Sequence, residues 1–215
     1  MSTELNIAPQ PLLSRWFANI TSFIFHPLFI PVYVTLFVAF VHPLLFAGYS
    51  ESAKIKLVAT VFVNFTFFPA VTVFLCWRLG FINSIKMNTQ KERLIPLAAT
   101  MIFYFWGWYV LRGLNEVPEL YKQFLLASFI TIIAAWLANI YFKVSLHGLA
   151  MGGLVAFFCI LVYGFDGGSA QYLALALLIA GAVCASRLLL SSHKPFEVYS
   201  AFIIGVLAQV LAVFL

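Results

Sequence analysis

Long apolar segments recur along the chain and are separated by short polar segments. They lie at about residues 20–46, 55–79, 94–111, 120–142 and 148–165, followed by one that ends near residue 186 and one over 195–215. A membrane-spanning helix needs about 20 predominantly apolar residues. The pattern therefore predicts an all-α, polytopic membrane helix bundle with about six to seven transmembrane helices, formed by residues 1–215 as a single domain.

The composition agrees with a membrane protein and excludes several other classes. Of the 215 residues, 64% are hydrophobic and 9% are charged, whereas soluble domains carry about 25% charged residues. The net charge of +5 is small and its basic residues lie in short loops, so we expect no nucleic acid partner. The expected partners are the lipid bilayer and anionic lipid head groups, in a bacterial-type inner (cell) membrane.

The cysteines point to neither a disulfide framework nor a metal site. Cys76, Cys159 and Cys184 all lie inside apolar runs, and their spacing matches neither a disulfide pattern nor a set of metal ligands. We therefore expect neither a disulfide framework nor a zinc site, and we expect no cofactor.

The segment Ser186–Glu197 carries the most informative polar side chains. Pro195 lacks an N–H group and fits the first turn of a helix, so a helix is predicted to begin near it. Glu197 follows His193 by four residues, which brings the carboxylate towards the imidazole and leaves the other ring nitrogen free to attack a substrate. Arg187 carries a planar set of donors that suits a phosphate group.

Structural explanations of the same residues remain open from the sequence. A histidine ahead of a membrane helix can be a polar residue of the membrane interface. Arg187 and Glu197 can also form an ion pair that only stabilises the fold.

Other positions are assigned to packing. His26 and His42 each precede a proline and are expected at helix ends or against neighbouring helices. Gly148, Gly152 and Gly153 give one helix a face on which another backbone can pack closely.

Three polar clusters are predicted to lie on the same side of the membrane. They are Lys86–Arg93, Ser145–His147 and Ser186–Glu197, and two predicted spans separate each cluster from the next. A chain that crosses a membrane twice returns to the side from which it started. The three clusters can therefore meet.

Together these clusters resemble the type 2 phosphatidic acid phosphatase superfamily, with this chain as a divergent member. The motifs of that family are K-x(6)-R-P, P-S-G-H and S-R-x(5)-H-x(3)-D. The matching residues, all between positions 86 and 197, are Lys86, Arg93, Ser145, His147, Ser186, Arg187 and His193. The chain departs from the motifs at Leu94, Val144, Leu146 and Glu197, and Glu197 stands where the family has aspartate.

The resemblance implies a phosphatase that needs no metal and acts on a membrane lipid phosphate, either a monoester or a diphosphate. His193 would attack phosphorus to form a phosphohistidine, and Glu197 would orient its ring. His147 would protonate the leaving oxygen and then activate water. The phosphate-binding residues would be Lys86, Arg93, Ser145, Ser186 and Arg187.

Two alternative functions use the same residues. One is phosphoryl or head-group transfer between lipids, with an alcohol in place of water as the acceptor. The other is a catalytically degenerate protein that binds or transports lipid phosphates without turnover. The sequence leaves the oligomeric state and the membrane face of the site undetermined.

Overall fold

Helices make up the regular structure of the chain. The computed structural model describes residues 11–164 and 169–215, and within these ranges it contains helices and no strand. The α-helices are α1 Leu12–Ile24, α2 Ile30–Leu36, α3 Glu51–Val61, α4 Phe68–Arg78, α5 Gln90–Arg112, α6 Glu119–Tyr141, α7 Leu146–Gly164, α8 Ala170–Leu189 and α9 Pro195–Val213. Short 3-10 or π-helical turns extend or connect them at Pro27–Phe29, Phe37–Val41 and Phe62–Phe67.

Seven stretches of the described residues are long and apolar enough to cross a membrane. Leu12–Val41 contains α1 and α2, Glu51–Arg78 contains α3 and α4, and each helix from α5 to α9 forms one further stretch. The predicted all-α, polytopic membrane helix bundle is confirmed, at the upper end of the expected six to seven helices. The chain is an integral, multi-pass membrane protein.

The first stretch differs from the predicted apolar span over residues 20–46. Helix α1 begins earlier than predicted and ends at Ile24, and His26 adopts an extended conformation ahead of Pro27. The Tyr33 hydroxyl donates a hydrogen bond to the Ile24 carbonyl at 2.9 Å, so the chain turns sharply between α1 and α2. Proline explains the turn, because it lacks an N–H donor and disfavours helical geometry in the residue before it.

Helix α7 packs directly against the backbone of α9. A Cβ atom added at Gly148 would lie 2.8 Å from a carbonyl of α9, and one at Gly152 would overlap another. In return, a Cβ at Gly205 of α9 would overlap the Leu149 carbonyl. The predicted glycine face is confirmed at Gly148 and Gly152, whereas a Cβ at Gly153 would make only an ordinary contact of 3.8 Å. This contact holds the N-terminal ends of α7 and α9 side by side.

Helix α5 begins with reciprocal hydrogen bonds that also organise the segment before it. The Glu92 N–H donates to the Thr89 hydroxyl at 3.4 Å, and the Thr89 N–H donates to the Glu92 carboxylate at 3.1 Å. The same carboxylate accepts from the Asn83 N–H at 2.9 Å. This capping box satisfies N–H groups at the helix start and holds residues 83–89 against the end of the bundle, beside Arg93.

The substitution Gly152→Ala is expected to destabilise the bundle, because the added methyl group must push α7 and α9 apart. Such overpacking costs about 1–3 kcal/mol of unfolding free energy. The matched control is Gly181→Ala in α8, where nothing lies within 4 Å of the added Cβ and helix propensity predicts a gain of up to about 1 kcal/mol. Thermal unfolding in detergent measures both variants, and an unchanged midpoint for Gly152→Ala would contradict direct backbone contact.

Candidate active site

The three predicted polar clusters meet at one end of the bundle. Arg93 donates from Nη1 to the Val144 carbonyl at 2.8 Å, which joins the first cluster to the second. The Ser145 N–H donates to the Glu197 carbonyl at 3.3 Å, which joins the second to the third. Two spans between successive clusters thus bring all three to the same end of the bundle.

His193 and Glu197 form a hydrogen-bonded pair at the start of α9. The Nδ1 atom of His193 lies 2.9 Å from Oε2 of Glu197 and 3.2 Å from the Lys143 carbonyl. Both neighbours can only accept, so Nδ1 carries the proton and the lone pair is on Nε2. Oε2 also accepts from the Lys194 N–H at 3.1 Å, which fixes the carboxylate in the first turn.

The structure argues against both purely structural explanations of this segment. The His193 side chain is only 3% exposed, so it is not a solvated residue of the membrane interface. Glu197 pairs with His193, and within residues 11–164 and 169–215 no ion pair joins it to Arg187.

Burial sets the protonation state of His193. Loss of solvent lowers the pKa of this imidazole to about 4, and the nearby positive charges of Arg93 and Arg187 act in the same direction. The hydrogen bond to Glu197 opposes the shift but does not cancel it. The ring is therefore neutral at neutral pH, and Nε2 can act as a nucleophile.

Three cations surround this pair, and we call Arg93, Lys143 and Arg187 the basic cluster. The Arg93 guanidinium is buried and donates from Nε to the Met87 carbonyl at 3.1 Å. The Lys143 ammonium lies 3.5 Å from a loop carbonyl, and burial together with the charge of Arg93 lowers its pKa. Nε of Arg187 is buried and has no hydrogen-bond partner among the described residues. A buried cation that lacks a full set of partners is stabilised by a bound anion.

His147 lies at the first turn of α7 beside a second imidazole. Its Nε2 is 3.0 Å from the Ser22 carbonyl, which can only accept, so Nε2 carries the proton and Nδ1 is free. The His26 ring packs edge-on against it, with a centroid distance of 5.5 Å. Arg187 and His193 both interact electrostatically with His147, so the two predicted catalytic histidines share one site.

Three predicted phosphate-binding residues make other contacts or none. The Ser145 hydroxyl caps α7 by accepting from the Gly148 N–H at 3.2 Å. The Ser186 hydroxyl donates to the Ala182 carbonyl of its own helix at 2.7 Å. Lys86 is exposed, and its ammonium makes no hydrogen bond or ion pair in the described part of the chain. Their phosphate-binding roles stay predictions.

Two residues of the site were not assigned to it from the sequence. Lys143 lies two residues before Ser145, and its position in a short loop was a usable signal. His26 was assigned to a helix end, where it does lie. Because the chain turns at Pro27, that helix end is at the site. A histidine before a proline inside an apolar run was the available signal.

Strained backbone accompanies two of the site loops. Met87 has φ of 47° and Ser191 has φ of 50°, the two non-glycine residues with positive φ in the described ranges. Such conformations cost on the order of 1 kcal/mol or more and persist where the surroundings enforce them. The Met87 carbonyl accepts from Arg93, and Ser191 lies two residues before His193, so both strained positions shape the site.

Metal-ligating side chains do not converge in the part of the chain described. No group of three or more His, Cys, Asp or Glu side chains there could hold a metal ion. Cys76, Cys159 and Cys184 are free thiols. The expectation that no metal or cofactor takes part stays a prediction.

Comparison with known proteins gives no relative for this chain. No protein-family model, no curated protein and no solved structure matches it significantly.

The lowered pKa of His193 predicts a specific pH dependence of stability. Above pH 6.5 the histidine is neutral in both states. Between about pH 6.5 and 4 the unfolded chain binds a proton at this position and the folded chain does not, so stability falls. His193→Asn keeps an N–H donor towards Glu197 and removes the titration. The thermal midpoint of the parent should therefore fall more than that of His193→Asn as the pH decreases through this range. A difference between the two midpoints that does not depend on pH would contradict the assignment.

Proposed function

We propose that this protein hydrolyses the phosphate monoester or diphosphate of a membrane lipid through a phosphohistidine on His193, without a metal. One observation carries the proposal. A buried, neutral His193 is held by Glu197 beside the basic cluster, in which the Nε atom of Arg187 has no protein partner. The resemblance to type 2 phosphatidic acid phosphatases supports the same chemistry. We place the enzyme in a bacterial-type inner (cell) membrane.

The first step is nucleophilic attack by His193. The Nε2 lone pair attacks phosphorus, an N–P bond forms, and the bond from phosphorus to the lipid oxygen breaks. Positive charge develops on the imidazole as this happens. The Glu197 carboxylate accepts from Nδ1 at 2.9 Å, so it holds the attacking tautomer and stabilises that charge.

His147 supplies the proton for the leaving oxygen. Its Nε2 donates to the Ser22 carbonyl and its Nδ1 is free before the substrate binds, so the proton comes from the substrate. A bound phosphate that carries one P–OH proton gives that proton to Nδ1, which then passes it to the leaving oxygen. After the lipid alcohol leaves, the same Nδ1 accepts a proton from water, the water oxygen attacks phosphorus, and the N–P bond breaks. Nδ1 finally gives this proton to the product phosphate, so both histidines return to their original state.

The basic cluster stabilises the transferring group. Charge spreads over the equatorial phosphate oxygens in the transition state, and donors fixed beforehand in a water-poor site are effective there. Arg93 is held in place by the Val144 and Met87 carbonyls. It therefore requires little reorganisation when the substrate binds.

Phosphate release from lipid phosphates by purified protein in detergent with EDTA tests the proposal. Suitable substrates are phosphatidate, phosphatidylglycerol phosphate and a polyprenyl diphosphate. His193→Ala should lower the rate by at least about a thousandfold, because the nucleophile is removed, and should abolish the acid-labile phosphoenzyme. Glu197→Gln should lose on the order of a hundredfold, because a neutral amide cannot stabilise the charged ring.

The matched control is His42→Asn. His42 follows the C-terminal end of the first span, beside Tyr172 at the start of α8 and away from the basic cluster. An amide oxygen at this position can still accept from the N–H groups of Leu44 and Leu45. It should retain parent activity. Full turnover by a folded His193→Ala protein would overturn the proposal. Transfer of phosphate to an added alcohol instead of water would favour the transferase, and tight binding without turnover would favour the degenerate binding protein.

Two lysines with different surroundings provide a paired test. Lys143→Met should lower kcat/KM by about tenfold to a hundredfold, because it removes a charge from the basic cluster. Lys86→Met should change kcat/KM by less than about threefold, because an exposed charge without a partner contributes little. Kinetics on one lipid phosphate checks both variants. The reverse order of effects would mean that Lys86 moves into the site when substrate binds and that Lys143 is structural.

A further inference from the structure

A cavity inside the bundle leads away from the basic cluster. Its volume is about 250 Å³, and its walls belong to α4, α5, α6 and α7 and to the turn between α1 and α2. Arg93 and His26 lie at the end next to the site, and Gln209 of α9 also lines it. Gln209 is twelve residues beyond Glu197, which is about 18 Å along the helix axis. The cavity therefore connects the site with the deep interior.

The wall between these ends suits hydrocarbon. Leu97, Leu149 and Phe124 contribute apolar side chains. Three of the four hydroxyl groups that also line the cavity already donate to backbone carbonyls. Thr100 donates at 2.7 Å, Ser128 at 3.0 Å and Tyr104 at 3.1 Å. These three offer no free donor to a polar guest, whereas the Thr131 hydroxyl makes no hydrogen bond among the described residues.

Gln209 interrupts this lining at its deep end. The side chain is 0% exposed, and neither Nε2 nor Oε1 has a hydrogen-bond partner among the described residues. Covering an unpaired amide with a hydrocarbon chain is unfavourable, because its polar atoms then have neither water nor a protein partner.

We propose that the cavity holds the single hydrocarbon chain of the lipid phosphate whose head group binds the basic cluster, with Gln209 limiting how far the chain enters. The proposal rests on the proposed function, because it assigns the substrate class of the same site. Arg93 and His26 border both the cluster and the cavity. A lipid whose phosphate binds the basic cluster therefore has its hydrocarbon chain at the mouth of the cavity.

The size of the cavity favours one chain. Pockets for drug-sized ligands measure about 300–1,000 Å³, and this cavity lies just below that range. It accommodates one narrow chain and not the two chains of a diacyl lipid. The expected substrates are thus single-chain phosphates, such as prenyl or alkyl phosphates and diphosphates.

The first test uses the parent protein and does not depend on turnover. A non-hydrolysable alkyl phosphonate with a photoreactive diazirine at its chain end is bound in detergent and irradiated, and the labelled peptides are mapped. Label is expected on residues at the deep end of the cavity, around Phe124 and Gln209. Label confined to exposed, outward-facing residues such as Leu178 and Leu207 would overturn the proposal.

The second test compares n-alkyl phosphates from butyl to hexadecyl. Ala127 is 3% exposed and lines the cavity, so Ala127→Phe should block it. The ratio of kcat/KM for octyl to butyl phosphate should fall about tenfold relative to the parent, the scale of a typical steric penalty. Leu178→Phe, on an exposed position of α8, is the control and should keep the parent ratio. An unchanged ratio in folded Ala127→Phe protein would overturn the proposal.

A third variant tests the role of Gln209. Gln209→Leu extends the apolar lining, so the chain length with the highest kcat/KM should increase, and an unchanged optimum would remove Gln209 as the limit. The outcomes separate the two proposals. Turnover without dependence on the cavity would overturn the chain-binding site alone. Deep labelling by the phosphonate without phosphate release would overturn the hydrolase alone.

Discussion

The close contact between α7 and α9 determines where every polar group of the site can lie. Glycines on both helices allow backbone to meet backbone, and lipid-exposed helices associate most closely where side chains are small. Because the two helices begin next to each other, the Ser145 N–H reaches the Glu197 carbonyl and the Lys143 carbonyl reaches His193. His193 is therefore positioned by a helix pair and not by a loop alone.

Placing charge at this junction creates an electrostatic imbalance that the protein alone does not neutralise. Arg93 and Lys143 interact electrostatically with Glu197, and Glu92 adds a second carboxylate near Arg93. Carbonyl oxygens offset part of the remaining cost, since Arg93 donates to two of them. In the proposed function, the phosphate of the substrate supplies the missing negative charge and accepts from several donors at once. The proposal therefore couples binding of the anion to local stability.

The sequence predicted the parts of the site that depend on helical periodicity and on the number of spans. The start of α9 at Pro195, the spacing of Glu197 after His193 and the meeting of the three clusters are regular consequences of helices crossing a membrane. Whether three other side chains reach the site depended on their directions in loops and turns. They are Lys143, Lys86 and His26. Positive φ at Met87 lies next to Lys86 and the turn at Pro27 lies next to His26, and no periodic pattern encodes either feature.

Glu197 shows why fold and chemistry cannot be separated at this site. One oxygen, Oε2, accepts both from the His193 imidazole and from the Lys194 N–H at the start of α9. The helix start therefore fixes the carboxylate, and the carboxylate fixes the ring. Its side chain has one methylene more than the aspartate of the related motif, and this length lets it curl back over the first turn while still reaching Nδ1 at 2.9 Å. The substitution within the motif is thus compatible with an orienting role, because the longer side chain meets a geometric requirement that the N-terminus of α9 imposes.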